Sequence, residues 1–485
     1  MKKVHLGCGK RNFGDDWDHI DGSSYSHIKY HDIINLPYKN NEVDIIYASH
    51  VLEYFDRDEA LEVLQKWYNV LKPGGTLRLA VPDFEASAKL YVEKNVPLSY
   101  FVGMFYGKWK MTDKDTIYHK TIYDFESIST ILDNAGFVDC KKWDHKKIDH
   151  GYIDDYSQAY YPHMDKENGT LISLNVEVTK PYMVYFSQTW SKVNDLHKLK
   201  FLTPSEKGIW KNIKGTTDCD KAQYIIASDA IEDDLLERGK EFLDTKTIIQ
   251  FQRENTGVLK LYSSSRPFPD YHNKIILSYE DGYKYPFTNI QWINPDNKFK
   301  VGQYAFENTS QSFTYDKLKK LVKPTKTKSI SGIVSAKCSS QDYVNRVKKV
   351  LETCENREFD LYGWGWSPFN LKNYKGVLNS KFDGLIDYKY SFCFENFPNE
   401  RCISEKFTDA ILLWTIPIYN GPKETIEWLK EKSFFFIYEE IDFHKEIDLT
   451  NARNTILDEN NIWEQVHYLI TYGKEQFDHK YKMSV

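Results

Sequence analysis

The chain has 485 residues, with 64 basic against 70 acidic side chains and a net charge of -6. That length exceeds what one hydrophobic core organises, since single domains run ~100 to 200 residues, and the dispersed basic residues argue against a nucleic-acid surface. The cysteines Cys8, Cys140, Cys219, Cys338, Cys354, Cys393 and Cys402 are odd in number and lack C-x-x-C spacing, which argues against a disulfide scaffold or a metal site and fits a reducing cytoplasm. The first residues enter a strand at once and no run of ~18 apolar residues occurs, so a cytoplasmic protein without a signal or transmembrane segment is expected.

In chain order, Val4, His5 and Leu6 form a short apolar strand running into the turn Gly7-Cys8-Gly9 before any helix can start. Ile20-Asp21 follows as the tip of a second strand. Glycines let a backbone approach a ligand closely, and an acidic side chain after the second strand can accept both hydroxyls of a ribose. Tyr30-His31-Asp32-Ile33 comes next, and a strand from Val43 to Ala48 leads into Ser49-His50-Val51-Leu52-Glu53-Tyr54. An amphipathic helix with Leu61, Leu64, Tyr68 and Leu71 on one face stops at Lys72-Pro73-Gly74-Gly75. Leu77, Leu79 and Val81 then alternate as a strand ending at Pro82-Asp83.

This succession of L-G-C-G, an acidic tip, D-I, S-H-V-L-E and L-K-P-G-G resembles the class I S-adenosylmethionine-dependent methyltransferases of the small-molecule type. The likeness continues through Tyr123-Asp124-Phe125-Glu126-Ser127 and Ala135-Gly136-Phe137 to a closing strand from Thr170 to Thr179. It implies a Rossmann-like domain over residues 1–180, with S-adenosylmethionine held by Gly7, Cys8, Gly9, Asp21 and Asp32. His5 stands where many members carry Asp or Glu, which weakens the usual contact to the methionine end. An O-methyl transfer needs a base for the acceptor hydroxyl. His50 and His119 are the candidates, each set against a reading as a structural core or cap histidine.

A second module begins near Lys180-Pro181, where Met183-Val184-Tyr185-Phe186 opens a new strand. Thr247 to Asn255 is an apolar strand ending on the carboxylate of Glu254. Leu318 to Ser331 carries Lys319, Lys320, Lys323, Lys326 and Lys328 around Pro324 and reads as a solvated interdomain linker. Beyond it, Ile330 to Ser335 is strand-like and precedes a helix containing Arg346. The stretch from Cys393 to Tyr419 joins a strand, an acidic turn, a helix starting at Ser404 and a last strand. Phe407, Ala410, Ile411 and Trp414 form that helix's buried stripe, leaving Glu405 and Lys406 in its first turn. A diphosphate is well held where a helix N-terminus and a cation converge at the carboxyl ends of parallel strands.

The elements Phe392-Cys393-Phe394-Glu395-Asn396, Ser404-Glu405-Lys406 and Ile416-Pro417-Ile418-Tyr419-Asn420-Gly421 resemble, in order and spacing, the donor motif of the family 10 glycosyltransferases, the α-1,3/4-fucosyltransferases. The resemblance implies a GT-B fold of two Rossmann-like halves: an acceptor half at 181–317, the linker at 318–331 and a donor half at 332–485. It implies GDP-fucose as donor, held by Arg346, Glu395, Asn396, Glu405 and Lys406, and Glu254 as general base of an inverting transfer. With Arg346 and Lys406 neutralising the departing diphosphate, no metal is required. Cys402 departs from the family's Tyr and bears on nucleotide recognition. The expected whole is an α/β bifunctional enzyme that fucosylates a glycan acceptor (an oligosaccharide, lipopolysaccharide or glycoprotein glycan) and O-methylates that sugar or its neighbour. Two other readings stay open: a transferase whose methyltransferase domain has an unrelated substrate or a regulatory role, and a non-catalytic carbohydrate-binding scaffold.

Overall fold

The computed structural model describes residues 1–110, 116–187, 196–228, 231–251, 274–277, 314–395, 403, 405–431, 434, 436–437 and 448–482. The chain forms two compact units, Met1–Tyr182 with Lys211–Ile213, and Met183–Trp210 with Lys214–Val485. Among the described residues, no helix is long and apolar enough to cross a membrane.

The first unit is built on β1 (Lys3–Leu6), β2 (Trp17–Ile20), β3 (Ile28–Tyr30), β4 (Val43–Ser49), α1 (Arg57–Val70), β5 (Leu71–Pro82), α2 (Phe84–Lys94), α3 (Leu98–Tyr106), the short pair β6 (Trp109–Lys110) and β7 (Thr116–Ile117), α4 (Phe125–Asn134), β8 (Val138–Lys142), a second short pair β9 (Tyr160–Tyr161) and β10 (Thr170–Leu171), and β11 (Ser173–Thr179). Seven of these strands make one sheet in the order β3-β2-β1-β4-β5-β11-β8. The pairings from β3 to β5 are parallel, and β11 lies antiparallel between β5 and β8. This is a Rossmann-like sheet with one reversed strand. The strand order turns back at β1, so the crevice for a ligand opens at the carboxyl ends of β1 and β4.

Local signals explain the elements. Asp56 caps α1 by accepting from the amides of Asp58 and Glu59, and the Glu59 carboxylate reaches back to the Asp56 amide, a capping box. The buried face of α1 is Ala60, Val63, Leu64, Trp67 and Val70; Leu61 and Tyr68, expected at its centre, pack at its margin. Trp67 is fully buried and its indole donates to the Ile33 carbonyl at 2.7 Å, so the largest core side chain leaves no polar atom unmet. The segment 72–75, expected as the helix stop, is already the start of the long strand β5, because α1 ends at Val70.

The second unit holds two sheets. The first has the order β13-β14-β12-β15-β16-β17, from β12 (Tyr182–Ser187), β13 (Ile209–Trp210), β14 (Ile213–Thr216), β15 (Tyr224–Ser228), β16 (Thr247–Phe251) and β17 (Lys274–Leu277). The second is parallel throughout, β20-β19-β18-β21-β22, from β18 (Lys328–Ile333), β19 (Asp360–Tyr362), β20 (Tyr374–Gly376), β21 (Tyr388–Cys393) and β22 (Ile416–Tyr419). Apolar runs such as Ile248-Ile249 in β16 suit strands covered on both faces. These are the two Rossmann-like halves of a GT-B layout. The C-terminal helix Ile462–Tyr481 packs back on the first of these halves: Trp463 donates to Leu199 O and packs on Phe186, and Trp210 donates to the Glu464 carboxylate at 2.7 Å.

In the stretch 318–331, Lys319, Lys320, Lys323 and Lys328 are exposed, and Lys326 alone of its lysines turns into the fold. A helix, Tyr315–Lys320, occupies its start and β18 its end. Between them the Lys326 ammonium donates to the carbonyls of Leu385, Ile386 and Leu413 and to the Thr415 hydroxyl, at 2.6 to 3.2 Å. Those carbonyls lie at the entries to β21 and β22, where backbone acceptors need a donor. Burial pulls the Lys326 pKa down to about 7. The unfolded chain, with an ordinary lysine, therefore binds more protons above that pH, and stability rises with pH across the interval up to about 10.5. Lys326→Met should remove this term: the stability advantage of wild type over the variant, followed by urea denaturation with tryptophan fluorescence, is expected to grow between pH 7 and pH 9.

Candidate functional sites

In the first unit, β1 delivers the Gly7-Cys8-Gly9 turn to the crevice. Gly7 has φ +61°, and a Cβ there would lie 2.3 Å from Val51 Cγ2, so the segment after β4 packs directly on the turn. Gly9, at φ +53°, has open space where a side chain would be, a cradle of bare backbone. Asp21, buried after β2, accepts from the Gly9 amide at 2.8 Å through one carboxylate oxygen and from the Ser23 amide at 2.8 Å through the other. It thus fixes the turn's shape as well as lying at the tip where a ribose would sit. Bare glycine backbone beside an ordered carboxylate fits a nucleoside cofactor such as S-adenosylmethionine.

The remaining residues expected around the turn divide. Cys8 is buried, with Sγ 3.9 Å from His27 Nε2, and burial pushes its thiol up to about 12, so it packs as a thiol. Asp32 is exposed; its oxygens accept from the amides of Ile34 and Asn35 and from the Asn35 side chain, which closes its own loop. Asn35 holds the Asp32 carboxyl below the usual range. His5 is a core aromatic, stacked on Phe13 at 3.9 Å between ring centroids, and burial holds it well below the ordinary imidazole range.

His50 follows β4 in a left-handed conformation, φ +53°, with its amide donating to Ala80 O. Its Nδ1 lies 3.2 Å from Glu53 Oε1, and its Nε2 lies 3.2 Å from Ser173 Oγ. His119, carried back by the β6–β7 excursion, places Nε2 3.8 Å from the same Glu53 oxygen, while Nδ1 lies 2.9 Å from the Met104 carbonyl. The structure therefore brings both candidate bases to one carboxylate. Glu53 is fully buried. It was part of the S-H-V-L-E motif but not singled out; its spacing of three residues from His50, one helical turn, was the available signal.

In the second unit, the donor-motif residues gather at the carboxyl edge of the all-parallel sheet. Glu395, buried just past β21, has its carboxylate 3.5 Å from Lys406 Nζ, and Lys406 stands in the first turn of the helix Glu405–Leu412. Asn420, directly after β22, accepts from the Glu395 amide through Oδ1 at 3.1 Å. Cys393 is buried and donates to the Lys406 carbonyl; burial raises its thiol pKa, which suits a packing role. Gly421 is required by contact, since a Cβ would fall 2.2 Å from the Tyr419 ring. Arg346, buried in the helix Gln341–Asn356, donates to Ser335 O at 2.7 Å, which places it past the end of β18 on the same edge, and its guanidinium lies over the Tyr343 ring. Sequence reasoning passed over Lys381 and Asp409, an ion pair at 3.2 Å whose fully buried carboxylate lies on the same helix as Lys406. Phe407, Ala410 and Ile411 are its buried stripe as expected, and Trp414 lies just past its end. Glu254, Asn396 and Cys402 lie outside the described residues, as does the Glu405 side chain. Among the described residues there is no cluster of His, Cys, Asp and Glu that could hold a metal ion.

Known proteins resemble both units. Residues 16–79 match a family described as a methyltransferase domain. Solved S-adenosylmethionine-dependent methyltransferases from Archaeoglobus fulgidus and Mesorhizobium loti align with 37% of this chain and with 86% and 90% of their own, at 14% and 15% identity and TM-scores of 0.23 and 0.22. An alpha-(1,3)-fucosyltransferase of Helicobacter pylori is 33% identical over 94 residues, 19% of this chain and 18% of that protein's length. Fold and glycine turn define the first unit as a class I, Rossmann-like methyltransferase domain. The chain is a fusion of that domain with a C-terminal region similar to the fucosyltransferases.

The contact between Gly7 and Val51 is testable. Gly7→Ala should destabilise the first unit by ~1–3 kcal/mol through overpacking at a left-handed position. Val51→Ala should recover part of that loss in the double variant, because Val51 Cβ would lie at an ordinary 3.6 Å from the new methyl. A double-mutant cycle by chemical denaturation reads the coupling.

Proposed function

We propose that this chain is a bifunctional glycan-modifying enzyme. The C-terminal module transfers L-fucose or a related sugar from GDP-fucose to a glycan hydroxyl with inversion, and the N-terminal domain O-methylates that sugar or its neighbour using S-adenosylmethionine. The support is that each module has its own parallel-strand carboxyl edge with separate equipment: the Gly7–Gly9 turn held by Asp21 in one, and Glu395, Lys406 and Asn420 drawn together in the other.

In the donor module, Lys406 and Arg346 supply positive charge past the ends of adjacent strands, where a leaving diphosphate develops charge. Glu395 orients the Lys406 ammonium, and Glu405 binds ribose or sugar hydroxyls. Glu254, three residues beyond β16, takes the acceptor proton in this scheme. In the methyltransferase domain, S-adenosylmethionine when bound supplies an electrophilic methyl group, so the protein needs only to position the acceptor and accept its proton. Asp21 and the glycine turn hold the nucleoside end, and His50 precedes Val51, which packs on Gly7 of that turn. The acceptor is a glycan, and the protein acts in the cytoplasm.

Calorimetric titration with S-adenosylmethionine and GDP-fucose, singly and together, tests the reading. Independent binding of both is expected. Lys406→Ala should lower sugar transfer at least tenfold while leaving S-adenosylmethionine binding intact, and Asp21→Ala should do the reverse. Loss of both ligands in either folded variant would overturn the two-site assignment; tight binding of a different nucleotide sugar would replace fucose.

A further inference from the structure

An exposed tryptophan stands at the donor edge on a loop whose main chain is tightly anchored. β19 ends at Tyr362 and is followed by Gly363-Trp364-Gly365-Trp366. At Gly363 the backbone has φ +140° and runs so close to the continuation of β18 that a Cβ would fall 2.0 Å from Val334 O. Trp366 is fully buried, and its indole donates to the same Val334 carbonyl at 2.7 Å. Between these two anchors the Trp364 carbonyl accepts from the Ala336 amide at 2.7 Å. The main chain on both sides of Trp364 is thus fixed against the end of the neighbouring strand. The Trp364 side chain is nevertheless 57% exposed, and among the described residues its ring meets no other aromatic ring and no cation. Packing of the loop is supplied by Trp366 and does not require an indole at 364.

The neighbourhood gives that ring a use. Ser335 O and Ala336 N belong to one peptide group: Arg346 donates to the oxygen at 2.7 Å, and the nitrogen donates to Trp364 O. The Arg346 guanidinium and the Trp364 main chain therefore lie within about 8 Å of each other. A flat aromatic surface held in water beside a cation suits a nucleoside diphosphate, in which a ribose separates the base from the phosphates by a comparable gap.

We propose that Trp364 is the base-stacking residue of the donor site: with the diphosphate at Arg346 and Lys406, the nucleobase lies on the exposed face of the indole. This rests on the sugar-transfer reading above, which names the base as guanine. Stacking itself accepts any base, because every base has a π-face, so polar contacts elsewhere must select guanine. The anchored loop needs no ordering when the nucleotide arrives, and little of the stacking energy is offset on binding.

Calorimetric titration of the full chain with GDP and, separately, with inorganic pyrophosphate tests the assignment. Trp364→Ala is expected to weaken GDP binding ~5- to 100-fold, while pyrophosphate and S-adenosylmethionine bind as they do to wild type. Trp364→Phe keeps a flat ring and should recover most of the loss. GDP should also quench the tryptophan emission of wild type more than that of Trp364→Phe, a difference that a purely structural role would not produce. An unchanged GDP affinity in Trp364→Ala, even with a raised acceptor KM, would overturn the proposal, as would equal losses of GDP and pyrophosphate. If wild type ignored GDP but bound another nucleoside diphosphate in a Trp364-dependent way, guanine in the reading above would fall and the stacking role would stand; binding of no nucleoside diphosphate would overturn both.

Discussion

A parallel strand cannot follow its neighbour through a tight turn; the chain must cross over the sheet and return, and the crossover buries both faces. Most other features of this protein depend on that constraint. With both faces covered, the only exposed backbone of a parallel sheet is at its ends, and at the carboxyl ends the loops are free to carry chemistry. The Gly7–Gly9 turn, His50, Glu395, Arg346 and Asn420 all lie just past such ends. The reversed strand β11 serves the same geometry differently: running antiparallel between β5 and β8, it returns Ser173 to the end of the sheet where His50 lies.

Buried polar groups hold these edges in place. Lys326 satisfies carbonyls at the entries of two strands, and Asp21 clamps the turn that a cofactor would touch. Glu395 beside Lys406 and Asp409 beside Lys381 put ion pairs on and beside one short helix. Breaking a buried pair costs far more than forming it contributes, so such pairs act mainly by excluding alternative arrangements. The Lys406 and Lys381 ammonium groups on this edge are therefore held in place by neighbouring carboxylates.

Much of this was legible from residue order. The short strands, the glycine turn, the presence of a helix around Leu61 and Leu64 and the strand–helix–strand run from β21 to β22 follow from apolar periodicity and turn residues. In the lysine-rich 318–331, Lys319, Lys320, Lys323 and Lys328 are exposed as charge runs usually are, whereas Lys326 found backbone acceptors contributed by residues far along the chain. His5 and Asp32 sit at motif positions, yet one joins an aromatic core and the other closes its own loop.

The sequence by itself determined most of the strands that form the sheets and the presence of more than one α/β unit, because these depend on local periodicity and on turn chemistry between near neighbours. Only the tertiary structure decided which polar groups meet. Glu53 is approached by His119 through an excursion of α2, α3 and a short hairpin that has no periodic signature, and Ser173 reaches His50 from β11, one strand beyond β5. Those contacts are set by how non-local elements pack, and a buried hydrogen bond depends on distances of tenths of an ångström that spacing along a chain does not encode.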